Sequence, residues 1–195
     1  MLVSSPTRRS QIDMRKFFQE AQYESLAFVT TTILDWKKLF LNHDLAKIVL
    51  ESLNFYIQNG SWEVYVYALM PNHLHLILKV LEPNKLSSVL GNFHKFTART
   101  IVKYLKENDR QLLKDFLVNK IDREYQIWQR EPVVKNIISE DFLRQKVNYI
   151  HENSTQERWR GILKINDPWD YEFSSARFYY TGINDKYLNL TRLVL

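Results

Sequence analysis

Residues 62–80 constrain the fold of this chain more than any other stretch. Trp62-Glu-Val-Tyr-Val-Tyr-Ala-Leu69 alternates and is rich in β-branched and aromatic side chains, the pattern of a strand. Met70-Pro-Asn72 then closes a short turn, because proline fixes φ and asparagine tolerates the tight dihedrals that follow. His73-Leu-His-Leu-Ile-Leu-Lys-Val80 resumes strand composition, and Glu82-Pro-Asn84 ends it. Two strands joined this tightly lie antiparallel. Residues two apart on a strand share a face, so His73 and His75 project together while Leu74 and Leu76 turn into the core. Two imidazoles side by side on a rigid element suit a divalent cation or a phosphate. The same pattern also arises as a pair of surface histidines on a half-buried strand.

The other elements follow from periodicity. Leu26-Ala-Phe-Val-Thr-Thr-Thr-Ile-Leu34 reads as a first strand. Asp44 is placed to cap a helix running to about Gln58, with Leu45, Ile48, Val49, Ser52, Leu53 and Tyr56 on its 3.6-residue stripe and Asn59-Gly60 as its stop. A second amphipathic helix spans Leu86 to about Leu105, with Leu86, Leu90, Phe93, Thr97, Thr100 and Tyr104 on one face. Lys95, Arg99, Lys103 and Lys106 lie nearly opposite, and no acidic residue occurs from Lys85 to Lys106. Solvated faces normally mix signs, so this stripe is a candidate for phosphate contacts. Residues 107–129 read as a short helix and loops, and Pro132 to Ile138 as a further strand.

Ser139 caps the next helix, and Glu140 and Asp141 complement its dipole. Leu143, Val147 and Ile150 form its core stripe; Lys146, Tyr149 and Asn153 lie on a polar stripe about a quarter turn away. Taken alone, Tyr149 reads as a ring at a core edge. An aromatic segment follows, Trp169 to Tyr180, in which Arg177 reads as packing before DNA contact.

Strand, helix, hairpin, helix, strand gives an α+β fold, a ferredoxin-like βαββαβ antiparallel sheet with helices on one face, extended by the Tyr149 helix and an aromatic tail. The 195 residues divide into a basic arm (1–22), one domain (23–181) and a tail (182–195). Without cysteine, disulfides and thiolate metal sites are excluded, and a nitrogen and oxygen donor set suits Mg²⁺ or Mn²⁺. A net charge of +5 leans towards a polyanionic partner, and eleven Tyr, eleven Phe and five Trp offer rings for stacking on unpaired bases or for the core. No apolar leader or membrane-length run is evident, so a soluble, cytoplasmic protein is expected.

Met70-Pro-Asn-His-Leu-His75, Phe93-His-Lys-Phe-Thr97, Trp128-Gln129, Tyr149-Ile-His-Glu-Asn153 and Trp169 with Ser174-Ser-Ala176 together resemble the single-tyrosine HUH transposases of the insertion-sequence type, including the REP-associated tyrosine transposases. The resemblance runs from the first strand to about Thr181. It implies that His73 and His75 bind the metal, that Asn153 holds the third-ligand position and that Tyr149 is the nucleophile. Ser154 departs from the proline common after that asparagine, which bears on the aim of Asn153.

The implied reaction is metal-dependent cutting and joining of single-stranded DNA through a 5′-phosphotyrosine at hairpin-associated sites. Lys95, Arg99, Lys103 and Lys146 would contact the DNA, and Lys146 would also favour the phenolate. The partners implied are single-stranded or hairpin DNA, in a nucleoid-associated protein, with a homodimer and a tyrosine shared between subunits left open. The alternatives are a domesticated, non-catalytic module of the same fold that reads structured DNA or RNA, and an unrelated metal hydrolase, which lacks acidic ligands in any visible motif.

Overall fold

The computed structural model describes residues 26–193; the basic arm expected over residues 1–22 lies outside them. Strand β1 (Leu26–Thr32) leads through two 3-10 turns to helix α1 (His43–Gln58), then to the hairpin β2 (Trp62–Met70) and β3 (His73–Val80). Helix α2 (Leu86–Asn108) and the short α3 (Arg110–Lys114) precede a second hairpin, β4 (Leu117–Lys120) and β5 (Arg123–Tyr125). Strand β6 (Val133–Asn136) completes the main sheet, and α4 (Glu140–His151), α5 (Glu157–Leu163) and α6 (Ala176–Thr181) follow. The sheet order is β2-β3-β1-β6 with every pair antiparallel, the ferredoxin-like arrangement.

Both faces of this sheet are covered. Helices α1 and α2 meet one face at Trp62, whose indole N–H donates to the Leu53 carbonyl at 3.3 Å and whose ring lies 5.6 Å from Phe93. Helix α4 crosses β2 and β3 on the other face. A sheet covered twice loses the alternation of buried and exposed residues. Leu74, Leu76, Ile77 and Leu78 are all fully buried, and His73 and His75 are buried with them.

Local chemistry sets the boundaries. Asn42, and not Asp44, caps α1, because its side-chain oxygen accepts from the backbone N–H groups of Asp44 and Leu45. On α2 the buried row is Val89, Leu90, Phe93, Thr97, Ile101 and Leu105. Its i+4 steps drift round the helix and turn Tyr104 outward, where its hydroxyl donates to Asp44 at 2.9 Å. Residues 107–129 hold the β4–β5 hairpin where loops were expected.

In β2 the pairing slips between Val64 and Val66. The extra residue exchanges the faces of everything after it, so the two ends of β2 present opposite parities to the helices.

The β2 edge is closed by the C-terminal segment. Leu69 N–H donates to Phe173, Ser175 N–H to Tyr67 and Thr191 N–H to Val64, all to backbone oxygens. Leu188 and Leu193 are buried against the core, so the stretch after Gly182 seals an edge that would otherwise invite pairing. At the other edge all four residues of β6 are exposed. No helix among the described residues is long and apolar enough to cross a membrane.

Candidate active site

The register of β1 against β3 assembles the site. Thr30 pairs with His75 and Thr32 with His73, so Phe28, Thr30 and the two imidazoles share the face under α4. The histidine rings lie 4.5 Å apart between centroids and are 2% and 3% exposed, so they are not surface histidines.

The hydrogen bonds fix the tautomer of each ring. Asn72 Nδ2 donates to the Trp36 carbonyl, which leaves Asn72 Oδ1 as the acceptor for His73 Nδ1 at 2.6 Å. His73 therefore carries its proton on Nδ1 and keeps a lone pair on Nε2. His75 Nδ1 lies 2.7 Å from Thr30 Oγ1, and its Nε2 lies 3.2 Å from Asn153 Nδ2. Asn153 Oδ1 accepts from Trp159 Nε1 at 3.2 Å and from Arg158 at 3.3 Å, so the amide nitrogen faces the ring. A donor at Nε2 again places the ring proton on Nδ1, donated to Thr30. Both imidazoles are in the form that offers Nε2 to a metal, each held by a partner at Nδ1.

Burial keeps them uncharged. It pushes His73 down to about 3, with the Arg158 charge adding to the effect. His75 is held well below the usual histidine range by burial, then by His73, Arg158 and Lys146. No group of three or more His, Cys, Asp or Glu side chains suited to a metal occurs among the described residues. The donor set is two neutral imidazoles and an amide. The imidazoles fit a divalent ion; Asn153 would have to turn its amide and release Trp159 and Arg158 to add an oxygen.

Tyr149 stands over this pair. Its ring lies 5.1 Å from His75 and 6.3 Å from Phe28, both edge-on. It is 38% exposed, and its hydroxyl makes no hydrogen bond with the described residues. Lys146, one turn earlier, sets its ammonium 5.5 Å from the Tyr149 ring centroid and 4.9 Å from that of Phe28. Asn153 falls just beyond α4, in a 3-10 turn over Glu152–Thr155, so the helix ends at His151.

Lys95, Arg99 and Lys103 are exposed on α2 but lie on the opposite face of the sheet. Thr31, next to Thr30, shows this directly: its hydroxyl meets His94 of α2 at 2.8 Å. Lys95 and Arg99 line a cleft of about 510 Å³ with Arg123, Arg130, Tyr125 and Trp128. The structure thus brings His73, His75, Tyr149, Asn153 and Lys146 together and leaves the α2 cations apart. Thr30, Asn72, Arg158 and Trp159 are site residues that the sequence did not single out. Asn72 had a signal, its place beside His73 in the turn; the others depend on contacts distant in sequence.

Comparisons with known proteins bear on the family and the fold. The profile of the family described as "Transposase IS200 like" matches residues 24–153 of the 195. The structure of a REP-associated tyrosine transposase bound to a REP hairpin superposes with a TM-score of 0.58 at 17% identity, covering 86% of this chain and 88% of that one. A crystal structure from Deinococcus radiodurans R1 described as a transposase gives 0.44 at 18% identity, over 65% of this chain and 88% of that one. No curated protein matches in sequence. The two-strand, one-helix setting of the paired imidazoles lies inside the matched residues, and the chain belongs to the IS200-like transposase family.

Proposed function

We propose that this transposase cuts and rejoins single-stranded DNA with Tyr149 as nucleophile at hairpin-associated sites. The observation that carries the reading is the Tyr149 ring 5.1 Å from a His75 whose Nε2 lone pair is fixed by its own hydrogen bonds. Attack forms a bond from the tyrosine oxygen to phosphorus and breaks the bond from phosphorus to the 3′ oxygen. The phenolic proton is lost, the departing 3′ oxygen gains one, and DNA remains attached as a 5′-phosphotyrosine. Reversal by a 3′-OH rejoins the strand, with the bond energy conserved in the ester.

His73 and His75, with Asn153 as third ligand once its amide has turned, would hold Mn²⁺ or Mg²⁺, which supplies positive charge to the phosphate oxygens. The chain's own part is orientation. Thr30 and Asn72 keep both imidazoles aimed, and burial keeps them neutral. The Lys146 ammonium beside the Tyr149 ring favours the phenolate that forms as the proton is lost. Hairpin DNA is the substrate suggested by the hairpin held by the REP-associated relative. Lys95, Arg99 and Lys103 would meet the phosphates of its stem on the far face.

The test is incubation with hairpin-bearing single-stranded oligonucleotides and Mn²⁺, followed by denaturing electrophoresis. An SDS-stable adduct with wild type and none with Tyr149→Phe is expected. No adduct across a broad set of hairpins that bind the protein refutes the reading. A second reading, a DNA-binding module without chemistry, is favoured by one observation: the Asn153 amide nitrogen sits on the lone pair a metal would use. Mn²⁺ binding that depends on His73 and His75 decides against it.

A further inference from the structure

Two cations flank the imidazole pair. The Lys146 ammonium lies 5.5 Å from the ring centroid of Tyr149, whose ring is 5.1 Å from His75, and the Arg158 guanidinium donates to Asn153 Oδ1, whose amide nitrogen lies 3.2 Å from His75 Nε2. They approach from different elements: Lys146 from α4 beside Tyr149, and Arg158 from the first turn of α5. Arg158 is not placed by an ion pair. On the same helix Glu157 is taken by Arg160 at 3.0 Å, and no carboxylate of the described residues pairs with Arg158. Its guanidinium lies 5.5 Å from the Trp159 ring centroid and gives one hydrogen bond, to Asn153 Oδ1. Trp159 in turn lies 6.2 Å from the His73 ring. The residue is exposed, and one hydrogen bond with the described residues leaves most of its five N–H donors unused by them.

A guanidinium with no carboxylate partner among the described residues, one amide away from His75 and joined at the site by Lys146 from a second element, leaves a local excess of positive charge that an anion would neutralise. A planar fork of donors matches two oxygens of a phosphate better than a point charge does. The geometry points to Arg158 as a catalytic residue that binds a non-bridging oxygen of the phosphodiester attacked by Tyr149. The inference rests on the proposed role of Tyr149. It adds a second cation, beside Lys146, to the pair of neutral imidazoles, from an element outside the matched family region. Charge on those oxygens grows as the tyrosine adds, so the contact strengthens during reaction.

Single-turnover adduct formation with saturating hairpin oligonucleotide and Mn²⁺ is compared in wild type, Arg158→Ala and Arg158→Lys. The alanine variant is expected to lose about 10²–10³ in rate, the range for removing one donor to developing charge. Oligonucleotide affinity and thermal midpoint should stay close to wild type. Added guanidinium ion should restore part of the alanine variant's rate, which loss of packing would not allow, and lysine should restore less than the full rate. A rate within threefold of wild type, or a deficit untouched by guanidinium, overturns the assignment. Inorganic phosphate titrated into metal-free protein, followed by the imidazole proton signals, gives a reading that needs no cleavage. Phosphate should perturb His73 and His75 in wild type and far less in Arg158→Ala. Equal binding by both overturns the role of Arg158 even where wild type forms no adduct, an outcome that would separately end the role of Tyr149.

Discussion

Thr30→Val tests whether the first strand sets the protonation of the His75 ring. Thr30 Oγ1 lies 2.7 Å from His75 Nδ1, and the valine keeps the β-branched shape that a central strand favours. Two responses are open to the imidazole. It can keep its proton on Nδ1 with no acceptor, at a cost of about 1–3 kcal/mol for a buried donor left unsatisfied. Or it can move the proton to Nε2, where it meets the N–H of Asn153, which loses that bond as well and removes the lone pair. Either route lowers stability by about 1–3 kcal/mol. Loss of such an outer partner costs about 10–100-fold in metal affinity, or roughly 1.4–2.8 kcal/mol. Mn²⁺ calorimetry with denaturant melts measures both. The control is the adjacent Thr31→Val, whose hydroxyl meets His94 on the opposite face. It should cost similar stability and leave Mn²⁺ affinity unchanged. Equal Mn²⁺ affinity in wild type and Thr30→Val, or equal losses in both variants, would refute the tautomer argument.

Three other outcomes are expected. Burial holds His151 down to about 3 and His94 to about 4, below the unfolded value of about 6.5, so their contribution is complete above that pH and falls as acid protonates the unfolded chain. Each should remove about 1.4 kcal/mol per pH unit between 6.5 and its folded value, and urea midpoints that stay flat from pH 7 to 4.5 would contradict this. Lys95→Glu with Arg99→Glu should weaken hairpin binding at least tenfold and flatten its salt dependence by about 0.7–0.9 per lost phosphate contact, while adduct formation at saturating DNA persists. An unchanged salt slope measured by fluorescence anisotropy would remove α2 from the DNA interface. Trp159→Phe frees Asn153 Oδ1 from a buried donor, so Mn²⁺ should bind up to about tenfold more tightly if that oxygen is a ligand. Weaker binding by calorimetry would instead assign Asn153 to holding His75 from outside the metal shell.

The hairpin and the common face of His73 and His75 were legible because strand period and a proline turn are local signals. The order of elements gave the ferredoxin-like sheet for the same reason. The slip at Tyr65 was not legible, since Trp62-Glu-Val-Tyr-Val-Tyr alternates smoothly through it and only the partner strand reveals the extra residue. On α2 the middle of the buried row, Leu90, Phe93 and Thr97, was legible, and its ends, Val89, Ile101 and Leu105, were not, because the drift is set by the sheet and by α1. Tyr149 read by periodicity was a ring at a core edge, and so it is on its inner side. What sets it apart is the His75 ring 74 residues earlier in sequence, a contact that no local pattern encodes. Arg158 and Trp159 reach the site across the 3-10 turn that ends α4, and the C-terminal segment closes β2 through backbone bonds and through the hydroxyls of Tyr171, Ser175 and Tyr179, more than 100 residues from their partners.

The site divides into a fixed part and a free part, and the division suits a reversible reaction. His73 and His75 are locked at Nδ1 by Asn72 and Thr30, both on or beside central strands, so their aim survives any movement of the helices. In the proposed reaction Tyr149, which makes no hydrogen bond with the described residues, would have none of these to break before its oxygen approached phosphorus, and its side chain is 38% exposed. A nucleophile that must first attack and later be displaced at the same phosphorus gains from that freedom, provided the groups that bind the phosphate stay still. Rigid imidazoles in the sheet and a loosely held phenol on the helix meet both needs at once. Reversing them, with a pinned tyrosine and mobile imidazoles, would slow the proposed attack and misplace any metal the imidazoles held between its two steps.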